Sequence, residues 1–230
     1  MKISVFGAGN MGGTIIKAVA AGKTHQLTVY DKDPAKAEAF RKFDNVCFAD
    51  SVKSCLKDAK LVFVCVKPAH IDGLLQEIRA VGLKPETLLI SIAAGVRVER
   101  FTAILGDIPM VRTMPNLPAM VGEGLTGIYY HNMAGAEWQK KKEDVESLFA
   151  LLGAIRVFPA ETYIDKMIAV TSSSPAYVCL FIEALADGGV RCGLLNHLNA
   201  SFTMAMPLKK HAYNLRDNKP HWLFAVSAEF

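Results

Sequence analysis

Over the first two thirds of the chain, short unbroken apolar runs alternate with longer stretches of mixed polarity. Residues 2–6 form the first run and stop at glycines; residues 26–30, 45–48, 61–66 and 87–92 repeat the form. A run such as Leu61-Val62-Phe63-Val64-Cys65-Val66 has no polar alternation, as expected of a strand covered on both faces of a parallel sheet. Between the runs, residues 10–21, 34–42, 51–57 and 70–81 read as helices, with Pro34 at a first-turn position that needs no N–H. This repeated order predicts an α/β fold: a doubly wound parallel sheet with right-handed crossovers and helices on both sides. Residues 110–113, 127–130 and 155–158 are further strand candidates, and the charged stretch 137–152 reads as an amphipathic helix. Near Pro159 the pattern turns helical, from about Thr162 to Leu194. The division expected is a sheet domain over 1–159 and an incomplete all-helical domain over 160–230. Its tail, 195–230, scatters Asn, His and aromatic residues without periodicity and is broken by Pro207 and Pro220.

Composition narrows the partners. The chain has 230 residues, enough for one large domain or two modest ones. With 51% hydrophobic and 21% charged residues it is no disordered chain. The net charge of +4 comes from scattered Lys and Arg, so no nucleic-acid partner is expected. The densest strand-like apolar run is far shorter than the about 20 residues of a membrane helix, so no membrane span is expected. Only Lys2 precedes the first apolar run and glycines interrupt it at once, which argues against a signal peptide and for a cytoplasmic protein. Cys47, Cys55, Cys65, Cys179 and Cys192 are odd in number and lack C-x-x-C spacing, so they read as buried thiols rather than disulfides or zinc ligands. His197, His211 and His221 are too far apart to suggest a metal site.

The chemistry begins at Gly7-Ala8-Gly9-Asn10-Met11-Gly12, a G-x-G-x-x-G pattern between a predicted strand and a predicted helix. Gly7 permits the tight turn, Gly9 lets backbone approach a pyrophosphate, and Gly12 lets helix pack on strand. The helix N-terminus then offers unpaired N–H groups to the phosphates. The fold is therefore read as Rossmann-type. Asp31, 19 residues after Gly12, stands where a carboxylate accepts from a ribose 2′-OH. It leans towards NADH, while Lys32 would pair with the extra phosphate of NADPH, so both cofactors remain open. The alternative role for Asp31 is to cap the next helix, for which Asp33 before Pro34 is better placed. Other strand ends add Cys65, Val66, Lys67 and Pro68, then Ala93, Ala94 and Gly95, whose small size suits a flat nicotinamide. Asn116 lies between Pro115 and Pro118 in a non-helical loop, where its amide would orient nicotinamide or substrate or close an Asx-turn. Phe6 and Ser51 complete the cofactor set. Lys67 is ordinarily a solvated or ribose-contacting charge at such a position, and no catalytic residue is assigned.

Taken in order, Gly7–Gly12, Val66-Lys67-Pro68, Ser91–Gly95, Met114-Pro115-Asn116, Ser173-Ser174-Pro175-Ala176-Tyr177 and Phe181-Ile182-Glu183-Ala184-Leu185-Ala186-Asp187 resemble the pyrroline-5-carboxylate reductase family. The resemblance implies a Rossmann domain joined to a helical dimerisation domain in a homo-oligomer. It implies reduction of a cyclic imino acid, 1-pyrroline-5-carboxylate, to proline with NADH or NADPH. So basic an imine can enter protonated, leaving mainly alignment to the enzyme. Ser173, the serine that matches the family motif, and Pro175 are the implied substrate contacts. Two departures stand out. Ser172 and Ser174 occupy positions where the family has glycine, a poor exchange if those positions need φ > 0 or close backbone approach. The family's Ser-Pro-Gly-Gly-Thr-Thr segment is absent, so 195–230 reads as a truncated or frame-shifted end. That would leave apolar helix faces exposed and assembly and turnover impaired. The alternatives are a catalytically impaired dinucleotide-binding remnant and a β-hydroxyacid dehydrogenase-like reductase. The latter needs Lys followed four residues later by Asn or Asp, whereas Val170 follows Lys166.

Overall fold

The computed structural model describes residues 1–193. Expectations for the tail, including its truncated or frame-shifted character and its histidines, fall outside the described residues. One sheet of eight strands organises the rest: β1 Lys2–Phe6, β2 Gln26–Tyr30, β3 Val46–Phe48, β4 Leu61–Val64, β5 Leu88–Ser91, β6 Met110–Met114, β7 Gly124–His131 and β8 Gly153–Val157. Their order is β3-β2-β1-β4-β5-β6-β7-β8. The first six strands are parallel, β7 runs antiparallel to β6, and β8 is parallel to β7.

Side chains alternate across the pleat, so each continuous apolar run feeds two cores. On one face Ile3, Val5, Phe63, Ile90 and Val111 pack with α1 (Asn10–Ala21) and with Val145, Leu148 and Phe149 of a helix at Gln139–Ala150. On the other, Phe6, Val62, Val64 and Leu89 meet Val52 and Cys55, Ile71, Leu75 and Ile78, and Phe101. These three groups belong to α2 (Val52–Leu56), α3 (Ile71–Val81) and α4 (Val98–Leu105); the helix at Gln139–Ala150 is α5. Each fully buried large side chain contributes roughly 1.5–3 kcal/mol.

Local differences from the expected elements have local causes. Residues 34–42 were expected to be helical; the segment forms a 3-10 helix, Pro34–Phe40, capped by the Asp33 carboxylate, which accepts from the Ala35 N–H at 3.0 Å. Helix α4 was not anticipated, because only Val98 and Phe101 of its residues are buried and the apolar pattern is thin. The cysteines do not all sit in the core. Cys55 is buried, its thiol pushed up to about 12 by burial, and Cys65 is half-buried, but Cys47, Cys179 and Cys192 are exposed.

After β8 the chain runs helically from Thr162 to Arg191: α6 (Thr162–Met167), a π-turn (Ile168–Ser172) and α7 (Ser174–Arg191). Its length and apolar composition meet what a membrane crossing needs, contrary to the expectation that no segment does; counting strand-like runs missed it. It also carries Asp165, Lys166, Glu183, Asp187 and Arg191. Ile164, Met167, Ile182 and Ala186 face inward. Val170, Tyr177, Leu180, Phe181 and Leu185 form an exposed apolar side, with Tyr177 at 68% and Phe181 at 65%, as expected of an uncovered helix face.

Ser172 and Ser174, where the resemblance implies glycine, sit in this run without backbone strain. Ser173 is right-handed at φ −86°, and neither Ser172 nor Ser174 has positive φ. The cost lies elsewhere: the Ser172 hydroxyl is buried with no hydrogen-bond partner. Ser172→Ala is therefore expected to stabilise the protein by about 1 kcal/mol, read as a rise in the urea midpoint at unchanged slope.

Candidate cofactor cleft

The site is built where β1 and β4 end side by side, at the point where strand order reverses. Gly7 turns the chain at φ 99°, with its N–H donating to the Tyr30 carbonyl at 2.9 Å. A Cβ on Gly7 would meet the Cys65 carbonyl group at 2.9 Å. A Cβ on Gly12 would run into the Gly7 carbonyl oxygen and come within 2.9 Å of the Cys65 Cβ. Around Gly9 the space is open. Gly9 is the N-cap of α1, so the helix starts with no capping side chain and no acid in its first turn. Its amino end remains available to an anion.

Asp31 closes one end. One carboxylate oxygen accepts from the Ala8 N–H at 2.7 Å and from Lys36 Nζ at 3.0 Å; the other accepts from the Asp33 N–H at 2.9 Å. Burial works against its charged form, but the two backbone donors and Lys36 outweigh it and hold the carboxyl below its ordinary range. The side chain is 9% exposed and its charge is paired. This pairing weakens the repulsion on which the lean towards NADH rested.

From there the cleft runs past Lys32 and Lys36, over Gly7 and Gly9, along Cys65, Val66 and Lys67, to Asn10, Met11, Pro68, Ala93 and Ala94. Phe6 lies in its floor. The sequence-predicted residues Phe6, Gly7, Gly9, Asn10, Met11, Asp31, Cys65, Val66, Lys67, Pro68, Ala93 and Ala94 thus come together. Ala8 stands behind them through its bond to Asp31, and Gly12 as the packing contact. Gly95 turns the loop at φ 71° beyond the lining. Ser51 lies outside it: its hydroxyl caps α2 by accepting from the Ser54 N–H and donates to Asp50. Sequence reasoning missed Lys36, Tyr30, His70, Glu77 and Ile92. Lys36 alone had a signal, five residues past Asp31 in the turn that Asp33 caps. Burial pushes the Cys65 thiol up, so it stays protonated at neutral pH.

Asn116 is a brace. Its amide nitrogen donates to the Thr171 carbonyl at 3.2 Å, and its oxygen accepts from the Leu125 N–H at 2.9 Å. It makes no side-chain cap to the turn it precedes, so the Asx-turn reading does not hold. Ser173 is exposed, with its hydroxyl donating to the Ile168 carbonyl, and Pro175 is buried in the first turn of α7; neither lines the cleft. Lys166 lies over the Tyr163 ring at 5.2 Å. Among the described residues no group of three His, Cys, Asp or Glu side chains clusters to hold a metal ion.

Residues 2–95 match the family model described as NADP oxidoreductase coenzyme F420-dependent. Residues 161–209 match the model described as pyrroline-5-carboxylate reductase dimerisation. The chain is 36% identical over 197 residues to a pyrroline-5-carboxylate reductase of Escherichia coli K12, covering 84% of this chain and 71% of that protein. A Pseudomonas aeruginosa protein of the same name is 33% identical over 211 residues, 90% of this chain and 76% of that one. Among solved structures, the 1-pyrroline-5-carboxylate reductase of Streptococcus pyogenes superposes with a TM-score of 0.81 at 27% identity, over 96% of this chain and 82% of that one. The Coxiella burnetii pyrroline-5-carboxylate reductase gives 0.85 at 25% identity, over 95% and 81%.

Because backbone rather than a flexible side chain occupies the space beside Gly12, Gly12→Ala is expected to displace the turn. The expected loss is about 1–3 kcal/mol, measured by urea denaturation.

Proposed function

The chain belongs to the pyrroline-5-carboxylate reductase family, and from that premise we propose how its residues carry the reduction of 1-pyrroline-5-carboxylate to proline. The observation that carries the reading is the glycine-floored cleft at the β1–β4 boundary, whose two closest approaches leave no room for a Cβ. Such a cradle fits the pyrophosphate of a nicotinamide dinucleotide, NADH or NADPH. When bound, the dinucleotide supplies the hydride.

We assign the N–H groups at the start of α1, with Gly9 and Asn10, to the pyrophosphate. Asp31, Lys32 and Lys36 take the adenosine ribose. Val66, Lys67 and Pro68 form the wall, and Ala93 and Ala94 bound the nicotinamide end. Ala8, Gly12 and Gly95 shape the loops, and Asn116 steadies the segment that leads to α7. Ser173 and Pro175, at the start of α7, are assigned to the substrate side, supported by the Asn116–Thr171 bond that ties this turn to the loop after β6. No side chain is assigned as proton donor, because a cyclic imine can arrive protonated and needs orientation above all. The domain boundary is placed at 159/160, and a cytoplasmic location suits a reaction that draws on the reduced nucleotide pool.

The exposed apolar side of α7 is assigned to a second copy of the chain, supported by the match of residues 161–209 to a dimerisation model. Phe181→Asp is expected to shift the protein to smaller species in sedimentation at micromolar concentration; unchanged sedimentation would count against this face. For the activity, imine-dependent oxidation of NADPH and of NADH is expected. Lys36→Ala should raise KM for NADPH about tenfold more than that for NADH. Dinucleotide binding without imine-dependent oxidation would instead identify a binding remnant.

A further inference from the structure

The largest fully buried side chain among the described residues is a charged one. Arg112, at the centre of β6, is 1% exposed. Its guanidinium donates to Glu161 Oε1 at 2.8 Å and to Asp165 Oδ1 at 2.6 Å. Glu161 immediately precedes α6 and Asp165 lies one turn along it. The same Glu161 oxygen accepts the Val98 N–H at 2.7 Å, at the first residue of α4. The other oxygen of Asp165 accepts from Arg97 Nε at 3.0 Å. Arg112 Nε has no partner.

Two cations and two anions thus meet where three pieces of the fold converge. The acids belong to the start of the helical run. Arg112 belongs to the sheet. Arg97 and the Val98 N–H end the segment that begins with Ala93 and Ala94, which line the cleft. Arg112 is the fully buried charge among them, and removing it from water is costly and is offset only where geometry is closely satisfied. A planar fork gripping two acids one helical turn apart permits few orientations of that helix. Burial pushes the Asp165 carboxyl up, but Arg112 and Arg97 outweigh it and hold it below its ordinary range, so the acid stays charged in its grip.

We propose that Arg112 is a positioning residue: through Glu161 and Asp165 it fixes the start of the helical run against the Ala93–Val98 segment, so that residues 162–175 respond when the cleft is filled. The cluster reaches the cleft along the Ala93–Val98 segment. It acts on turnover by holding the start of α7 in place, and in that respect the inference rests on the function proposed above. A contiguous network of packed and charged groups is the physical basis for such coupling.

The test uses the full chain and NADPH, with amide hydrogen exchange beside imine turnover. In the unmodified protein, NADPH is expected to slow exchange across 162–175. Arg112→Lys keeps one charge but loses the fork. It should lose that response while its Kd for NADPH stays within about threefold, and kcat should fall about tenfold or more with a smaller change in KM. Glu161→Gln keeps an acceptor for the Val98 N–H and should move the same way to a lesser degree; it decides the question if Arg112→Lys does not fold. The proposal is overturned if NADPH leaves 162–175 unchanged in the unmodified protein. It is equally overturned if the variants, once folded, keep both the exchange response and kcat, since lowered thermal stability alone marks a structural pair. If the unmodified chain shows the exchange response but no turnover, the clamp stands and the assigned reaction falls.

Discussion

Everything in the cleft depends on how closely one backbone turn approaches another. The Gly7 turn lies against the carbonyl of Cys65, and α1 crosses so near Gly7 that position 12 has no space for a side-chain carbon. That contact aims the amino end of α1 at the β1–β4 boundary, where a parallel sheet leaves a crevice beyond its strand ends. Asp31 then pins the turn from the other side by accepting the Ala8 N–H, so the carboxylate at the end of β2 also holds the loop. Closeness, rather than an inventory of polar groups, makes the site able to take a dinucleotide. The same turn packs on the Cys65 backbone and Cβ, and burial there pushes the Cys65 thiol up.

The parallel half of the sheet could be read from sequence because burial on both faces writes itself as unbroken apolar runs, with Leu61–Val64 the plainest case. The glycine motif could be read because its spacing carries steric content. Direction could not: nothing in Gly124–His131 says that it turns back along β6, since an apolar strand of either sense uses the same residues. Helix α4 and the π-turn escaped notice for a related reason, as both are short departures set by packing and not by period. Asn116 was singled out as unusual, but its bracing bonds could not be read from sequence. Its partners, Thr171 and Leu125, come from segments that sequence spacing does not bring together.

Arg112 shows the same limit more sharply. A lone arginine inside a predicted strand gives no sign of its acids, which lie 49 and 53 residues further along the chain. Only the folded sheet reveals that the charge sits in the core and that the start of the helical run was brought to it. Together with the Asn116–Thr171 bond, β6 and the loop after it hold the helical run at two points, one at each end of α6 and its π-turn. The sheet and the helices are in this sense joined by hydrogen bonds of fixed direction as well as by apolar contact.

The π-turn at Ile168–Ser172 has its own consequence. Each residue advances a helix by about 100° around its axis. One extra residue accommodated in a wide turn therefore rotates everything beyond it by more than a quarter circle relative to the stripe before it. Upstream, Ile164 and Met167 are anchored inward; downstream, Tyr177 and Phe181 point outward. The turn acts as a phase shifter between an anchored segment and a presented one. Gain or loss of a single residue there would leave every strand of the sheet intact and yet swing the aromatic side to a different compass bearing, so the length of this short stretch carries as much information as its composition.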